Sequence, residues 1–167
     1  QLDNGQLAEA AETFNQLMQR NTLNFWPYFF LAGVYNQLGQ HKETVLTCEN
    51  ALYFSDRSNL RKLGMSSFKN SIFSQFYYTL GTAGLNLNRY MDAVTCFERV
   101  VKSHNYKKTN SSIIKKFYPT SQLSSSAFYA LVHYNLGIAY SSLGDRKAAL
   151  RQYEKLKKLD KEKAEKL

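Results

Sequence analysis

The chain has 167 residues, of which 44% are hydrophobic, and a formal net charge of +9. That length and apolar share permit a real core and exclude a wholly disordered chain. No run of about 18 apolar residues occurs, so no membrane-spanning helix is expected.

Aromatic residues are frequent, with 12 Tyr and 11 Phe, whereas Pro is present only twice and Gly 8 times. Many large apolar side chains and few breakers suit packed helices. The positive charge is uneven. Arg57 to Lys69 holds four basic residues and no acid, and Arg99 to Lys116 holds six and no acid. Asp145 to Lys166 holds nine basic and five acidic residues.

In the first 24 residues, Leu7, Ala10, Ala11, Phe14, Leu17 and Met18 recur at intervals of three and four, the stripe of a helix. A second unit covers 25–58. Pro27 suits a first helical turn, and Tyr28, Leu31, Ala32 and Tyr35 lead to a turn at Gly39, with Thr44, Cys48 and Ala51 on the following helix. Residues 59–73 interrupt the pattern with Leu60, Leu63, Met65, Phe68, Ile72 and Phe73, and lengthen the flanking helices around a break near Gly64. A third unit covers 74–107. Tyr77, Leu80 and Gly81 precede a turn at Asn88, and Ala93, Phe97 and Val100 follow it. Asn tolerates the left-handed conformation that such a turn needs. Residues 108–129, rich in Ser, Thr and Asn and containing Pro119, read as a loop. One of Ser124, Ser125 and Ser126 is expected to cap the next helix. The last unit, 130–163, carries Leu136, Gly137, Tyr140, a turn at Gly144, Ala149 and Tyr153, and has a Lys-rich end.

The turn positions give the period. Gly5 to Gly39 is 34 residues, Gly39 to Asn88 is 49, and Asn88 to Gly144 is 56, so inserts of 15 and 22 residues separate units of 34. The spacing Leu136-Gly137-x2-Tyr140…Ala149-x3-Tyr153 resembles the tetratricopeptide repeat, a helix-turn-helix unit of about 34 residues. Residues 1–24 then match the second half of such a repeat, and the chain reads as a fragment of a longer protein. The resemblance implies an all-α fold, a right-handed superhelix of antiparallel helix pairs with about seven main helices. Gly84 stands where the repeat has an aromatic, which leaves a gap in packing or room for a neighbouring aromatic ring.

The resemblance also implies binding rather than catalysis, with no cofactor. His41, His104 and His133 are isolated, and Cys48 and Cys96 sit in apolar helical patterns as small core residues, so no metal or nucleophile motif forms. The expected function is a scaffold that docks a partner peptide or helix in a neutral, aromatic concave groove within a larger assembly. Matching the units places Trp26, Phe29, Phe30, Gly33 and Asn36 in that groove, then Gln75, Tyr78, Thr79, Thr82 and Leu85, then Leu131, Tyr134, Asn135, Ile138 and Ser141. The family's chaperone-binding subtype grips an acidic tail with Lys, Arg and Asn. Phe29, Gly33, Thr79, Leu131 and Asn135 occupy those slots here, so docking of Hsp70 or Hsp90 tails by a carboxylate clamp is not expected.

An alternative reading uses the inserts. Lys107, Lys108, Lys115 and Lys116 next to Phe117 and Tyr118 combine cations with aromatics, as nucleic-acid surfaces do. An acidic protein partner would meet the same cations. A third reading is self-association through open solenoid ends. Composition does not separate a cytoplasmic from a periplasmic setting, the cytoplasmic one being slightly favoured.

Overall fold

The computed structural model describes residues 2–20, 25–57, 68–103, 106, 108 and 111–167, without the side chains of 53–57 and 68–71. Among them seven helices exceed twelve residues: α1 (Asn4–Arg20), α2 (Phe25–Gln37), α3 (His41–Arg57), α4 (Phe68–Asn86), α5 (Tyr90–Ser103), α7 (Ser125–Ser142) and α8 (Arg146–Leu159). Two short helices, α6 (Ser112–Phe117) and α9 (Lys161–Ala164), complete the set, and no strand is present among the described residues.

Three helix pairs share one turn geometry. Gly39, Asn88 and Gly144 have φ of 70°, 58° and 76°, the left-handed region that glycine and asparagine adopt most readily. The next residue in each case donates its N–H to the carbonyl five positions back: Gln40 to Tyr35 at 2.9 Å, Arg89 to Gly84 at 2.8 Å and Asp145 to Tyr140 at 3.0 Å. These bonds satisfy carbonyls that the helix end leaves free. The turns fold α2 onto α3, α4 onto α5 and α7 onto α8. Further packing of α1 on α2, α3 on α4 and α5 on α7 joins the pairs into one stack.

The stack buries what a single pair cannot. One cluster gathers Leu7, Phe25, Phe29, Leu31, Val34, Cys48 and Phe76 from α1 to α4. A second gathers Ala93, Phe97, Val100, Phe128, Val132 and Leu136 across the seam between α5 and α7. At the C-terminal end Ala130, Leu156 and Ala164 form a third, closed by α9 and Leu167. Asp145 and Asp160 cap α8 and α9, their carboxylates accepting from the N–H groups of Ala148 and Lys163 at 2.9 Å each.

The inserts differ from their expected forms. The break near Gly64 lies outside the described residues, and from Phe68 onward the first insert is already part of α4. Residues 108–129 are not a plain loop. Ser111 caps α6, accepting from the Ile114 N–H, and Ile114 and Phe117, three residues apart, bury one face of that helix. Tyr118 precedes Pro119, which ends the helix and starts a 3-10 turn over Pro119–Gln122. Ser124 then caps α7, its hydroxyl accepting from the Ala127 N–H.

Candidate partner-docking groove

The face that matching units assign to the groove divides into two halves, and the first is full. Phe29 has no exposure, and Phe30 is 8% exposed. The ring of Tyr118 stacks on Phe29 with centroids 4.4 Å apart, and the Tyr118 hydroxyl donates to the Phe29 carbonyl. Phe117 packs against Phe30 and Phe14 at 5.4 Å. Trp26, half-buried, lies beside Phe29 and Phe30. The α2 side of the expected aromatic groove is therefore not open: the chain's own second insert fills it.

The contact is specific in its polar detail. A Cβ on Gly33 would lie 2.7 Å from the Phe117 carbonyl oxygen, so only glycine leaves room for that backbone. The Gln37 Nε2 group donates to the carbonyls of Phe117 at 3.0 Å and Lys116 at 3.3 Å. Thr120 donates its hydroxyl to Gln75 Oε1 at 2.6 Å. Tyr106 stacks on Phe128 at 3.9 Å and donates its hydroxyl to the carbonyls of Thr120 and Leu123. Burial pushes the Tyr106 phenol up to about 12 and the Tyr118 phenol well above its ordinary value. A hydrogen bond from the Gln75 side chain pulls the Tyr106 phenol back in part, whereas Ser121 Oγ, also buried, completes none.

The second half of the face runs between α4 and α7. Asn135 donates its Nδ2 group to the Tyr78 hydroxyl at 3.3 Å, which sets the two helices in register. Tyr78 packs on Phe97 and Phe128 and belongs to the core more than to a surface; burial raises its phenol, and the Asn135 bond pulls it back in part. One or two turns further along, Thr82 and Leu85 on α4 and Ile138 on α7 are only half-buried, with Asn86 and Ser141 exposed beside them. Leu131, Tyr134 and Asn135 are likewise half-buried, whereas Thr79 is buried.

The cations of the insert are not joined by stacking rings. Lys107 lies outside the described residues; Lys108 and Lys116 are exposed and Lys115 half-buried. Phe117 and Tyr118, the aromatics expected to stack on bases beside them, face inward instead. Apolar burial outweighs any surface role for two adjacent large rings. Phe29 and Gly33, two slots of the chaperone-tail clamp, lie under the same segment.

Elsewhere, Cys48 and Cys96 are free and buried, and burial holds both thiols in the protonated form, Cys96 at about 11. His133 is buried, and its Nδ1 lies 2.9 Å from Gln152 Oε1. No group of three His, Cys, Asp or Glu side chains is gathered among the described residues. No helix among them is long and apolar enough to cross a membrane. The gap expected at Gly84 exists as a surface pocket of about 170 Å³, lined by Val45, Leu80, Gly84 and Cys96 and rimmed by Glu49, Arg89 and Asp92.

Spacing alone does not find Gln37 or Thr120, and it sets Phe117 and Tyr118 beside the insert lysines rather than against α2. A signal was present in Ile114 and Phe117, whose separation of three residues marks a helical face inside a segment otherwise read as loop.

Comparison with known proteins agrees with this architecture. Family models described as tetratricopeptide repeat match residues 130–163 and 74–103. No curated protein matches the sequence. Among solved structures, the crystal structure of MamA is similar over 93% of this chain and 70% of that chain, at 17% identity and a TM-score of 0.62. The crystal structure of YrrB, a TPR protein with an unusual peptide-binding site, is matched over 94% of this chain and 100% of that one at 18% identity and a TM-score of 0.28. The chain carries tetratricopeptide repeats at 74–103 and 130–163, and its helix pairs stack in the all-α fold of a tetratricopeptide-repeat solenoid.

Proposed function

We propose that the chain is a non-enzymatic docking scaffold, and that an apolar or amphipathic partner segment lies along the channel between α4 and α7. The observation that supports this is the strip of half-buried Thr82, Leu85 and Ile138, flanked by exposed Asn86 and Ser141. It continues the face whose first half already holds a peptide segment. Apolar surface next to amide and hydroxyl groups suits a segment anchored by one or two apolar side chains and oriented by hydrogen bonds. Repeats of this class present such faces for binding, which is why a scaffold is favoured over an enzyme.

The test is site-specific cross-linking in the host cell. A photoreactive residue at position 85 should capture a discrete protein partner, and the same residue at Leu150, exposed on α8, should not. Ile138→Glu should abolish the capture while far-UV circular dichroism stays helical. Capture that is equal at both positions, or unaffected by Ile138→Glu, would remove the channel from consideration.

A further inference from the structure

We propose that the filled half of the face, over α2, is itself a binding site for an external segment bearing adjacent aromatic residues, and that Phe117-Tyr118-Pro119 is its resident competitor. This rests on the docking reading above but concerns the occupied half, not the open channel.

The seat and its occupant belong to different parts of the chain. The seat comes from α1 and α2, with Gln75 of α4 bonded to Thr120 at its edge; the occupant arrives from about 80 residues away and belongs to none of the helix pairs. Its mode of contact is that of a bound peptide. Two aromatic side chains enter between Phe14, Phe29 and Phe30. The Tyr118 hydroxyl also donates to the Phe29 carbonyl and Thr120 to Gln75, while Gln37 grips two main-chain carbonyls of the segment and Gly33 makes room for one of them. Any peptide supplies those carbonyls, so the adjacent aromatic pair sets the specificity.

The resident segment is an imperfect ligand. Ser121 Oγ is buried at the same seam with no hydrogen bond completed. Such an orphaned group weakens the closed arrangement. An external segment that brings the aromatic pair without a hydroxyl at that place binds the same seat without that cost. Its apparent affinity is reduced by the fraction of molecules in which the seat is closed.

The probe is a fluorescein-labelled synthetic peptide of residues 113–122, titrated by anisotropy into the 167-residue chain and into its F117A/Y118A variant. The variant should bind at least about tenfold more tightly than the parent, and a peptide with both aromatics replaced by Ala should bind neither. A helical variant that binds no better than the parent would overturn the proposal. Hydrogen exchange on the parent chain decides the matter if the variant does not fold. The Tyr118 amide, bonded to the Ile114 carbonyl, should exchange at least about a hundredfold faster than the Leu38 amide, bonded to the Val34 carbonyl. Equal protection would make the segment permanent core and sink the idea. Cross-linking at position 85 is independent of both readouts. Its failure with intact peptide binding would count against the open channel alone, and the reverse would count against the competitor alone.

Discussion

Tyr118 lies flat on Phe29, ring planes inclined by 21°, and its hydroxyl reaches back to the carbonyl of the same residue. Stacking and hydrogen bond are thus made to one partner, 89 residues away. Tyr118→Phe keeps the stack and loses only the bond, so it should destabilise the fold by about 1 kcal/mol. Tyr118→Ala loses the ring from a site only 2% exposed and should cost about 3 to 5 kcal/mol, in the range of buried aromatic truncations. Urea unfolding followed by circular dichroism separates the two.

Two glycines in helix interiors should respond in opposite directions. At Gly33 an added methyl meets the Phe117 carbonyl at 2.7 Å and the Tyr118 ring at 3.0 Å, neither of which can give way while the segment stays seated. Gly33→Ala should therefore cost about 1 to 3 kcal/mol. At Gly84 the nearest atoms lie at 3.5 Å and beyond, so an added methyl fits in ordinary contact with Ala93. Gly84→Ala should stabilise α4 by about 0.5 to 1 kcal/mol through helix propensity. Thermal melts of both variants beside the parent check the pair.

The contrast between those glycines shows what periodicity can and cannot reveal. Gly84 was legible as a departure from the repeat because its slot is defined by neighbours a few residues away. So were the left-handed turn at Asn88, set by the period, and the Ser124 cap, set by local chain chemistry. The role of Gly33 was not legible, because the atom that demands glycine there belongs to Phe117, 84 positions later. Spacing sets Phe117 and Tyr118 among surface aromatics for the same reason. A periodic reading pairs helices with their successors and carries no information on where an insert folds back.

Alkaline pH should loosen the stack in a defined window. Burial, chiefly, raises the phenols of Tyr106 and Tyr140 to about 12, and raises those of Tyr118 and Tyr78 as well. Below the unfolded tyrosine value of about 10, folded and unfolded chains hold the same phenolic protons. Above it the unfolded chain releases them first, so stability falls as pH rises from about 10 towards 12. Phenolate absorbance from Tyr78, Tyr106, Tyr118 and Tyr140 should appear only as helical dichroism is lost. A single unshifted titration ahead of unfolding would contradict the burial of these rings.

Tyr140 and Glu98 offer a test of coupling between repeats. The Tyr140 hydroxyl on α7 donates to the Glu98 carboxylate on α5 at 2.7 Å, and Lys102 donates to the same carboxylate at 2.9 Å. The Lys102 bond first, and the Tyr140 bond second, hold the Glu98 carboxyl below its usual value. A depressed carboxylate contributes stability that is present above the unfolded value of about 4.3 and is lost as pH falls through the lower folded value. With the Glu98 side chain 40% exposed, solvent screens much of the effect, and about 0.5 to 1 kcal/mol is expected. Glu98→Gln should flatten the loss of melting temperature on acidification below pH ~4.5. A double-mutant cycle of Glu98→Gln with Tyr140→Phe should give a coupling of about 0.5 to 1 kcal/mol. High salt should remove the Lys102 contribution and leave this coupling largely intact, since the donor is a neutral hydroxyl. Additive single mutants at low salt would show that the seam between these repeats is held by apolar packing alone.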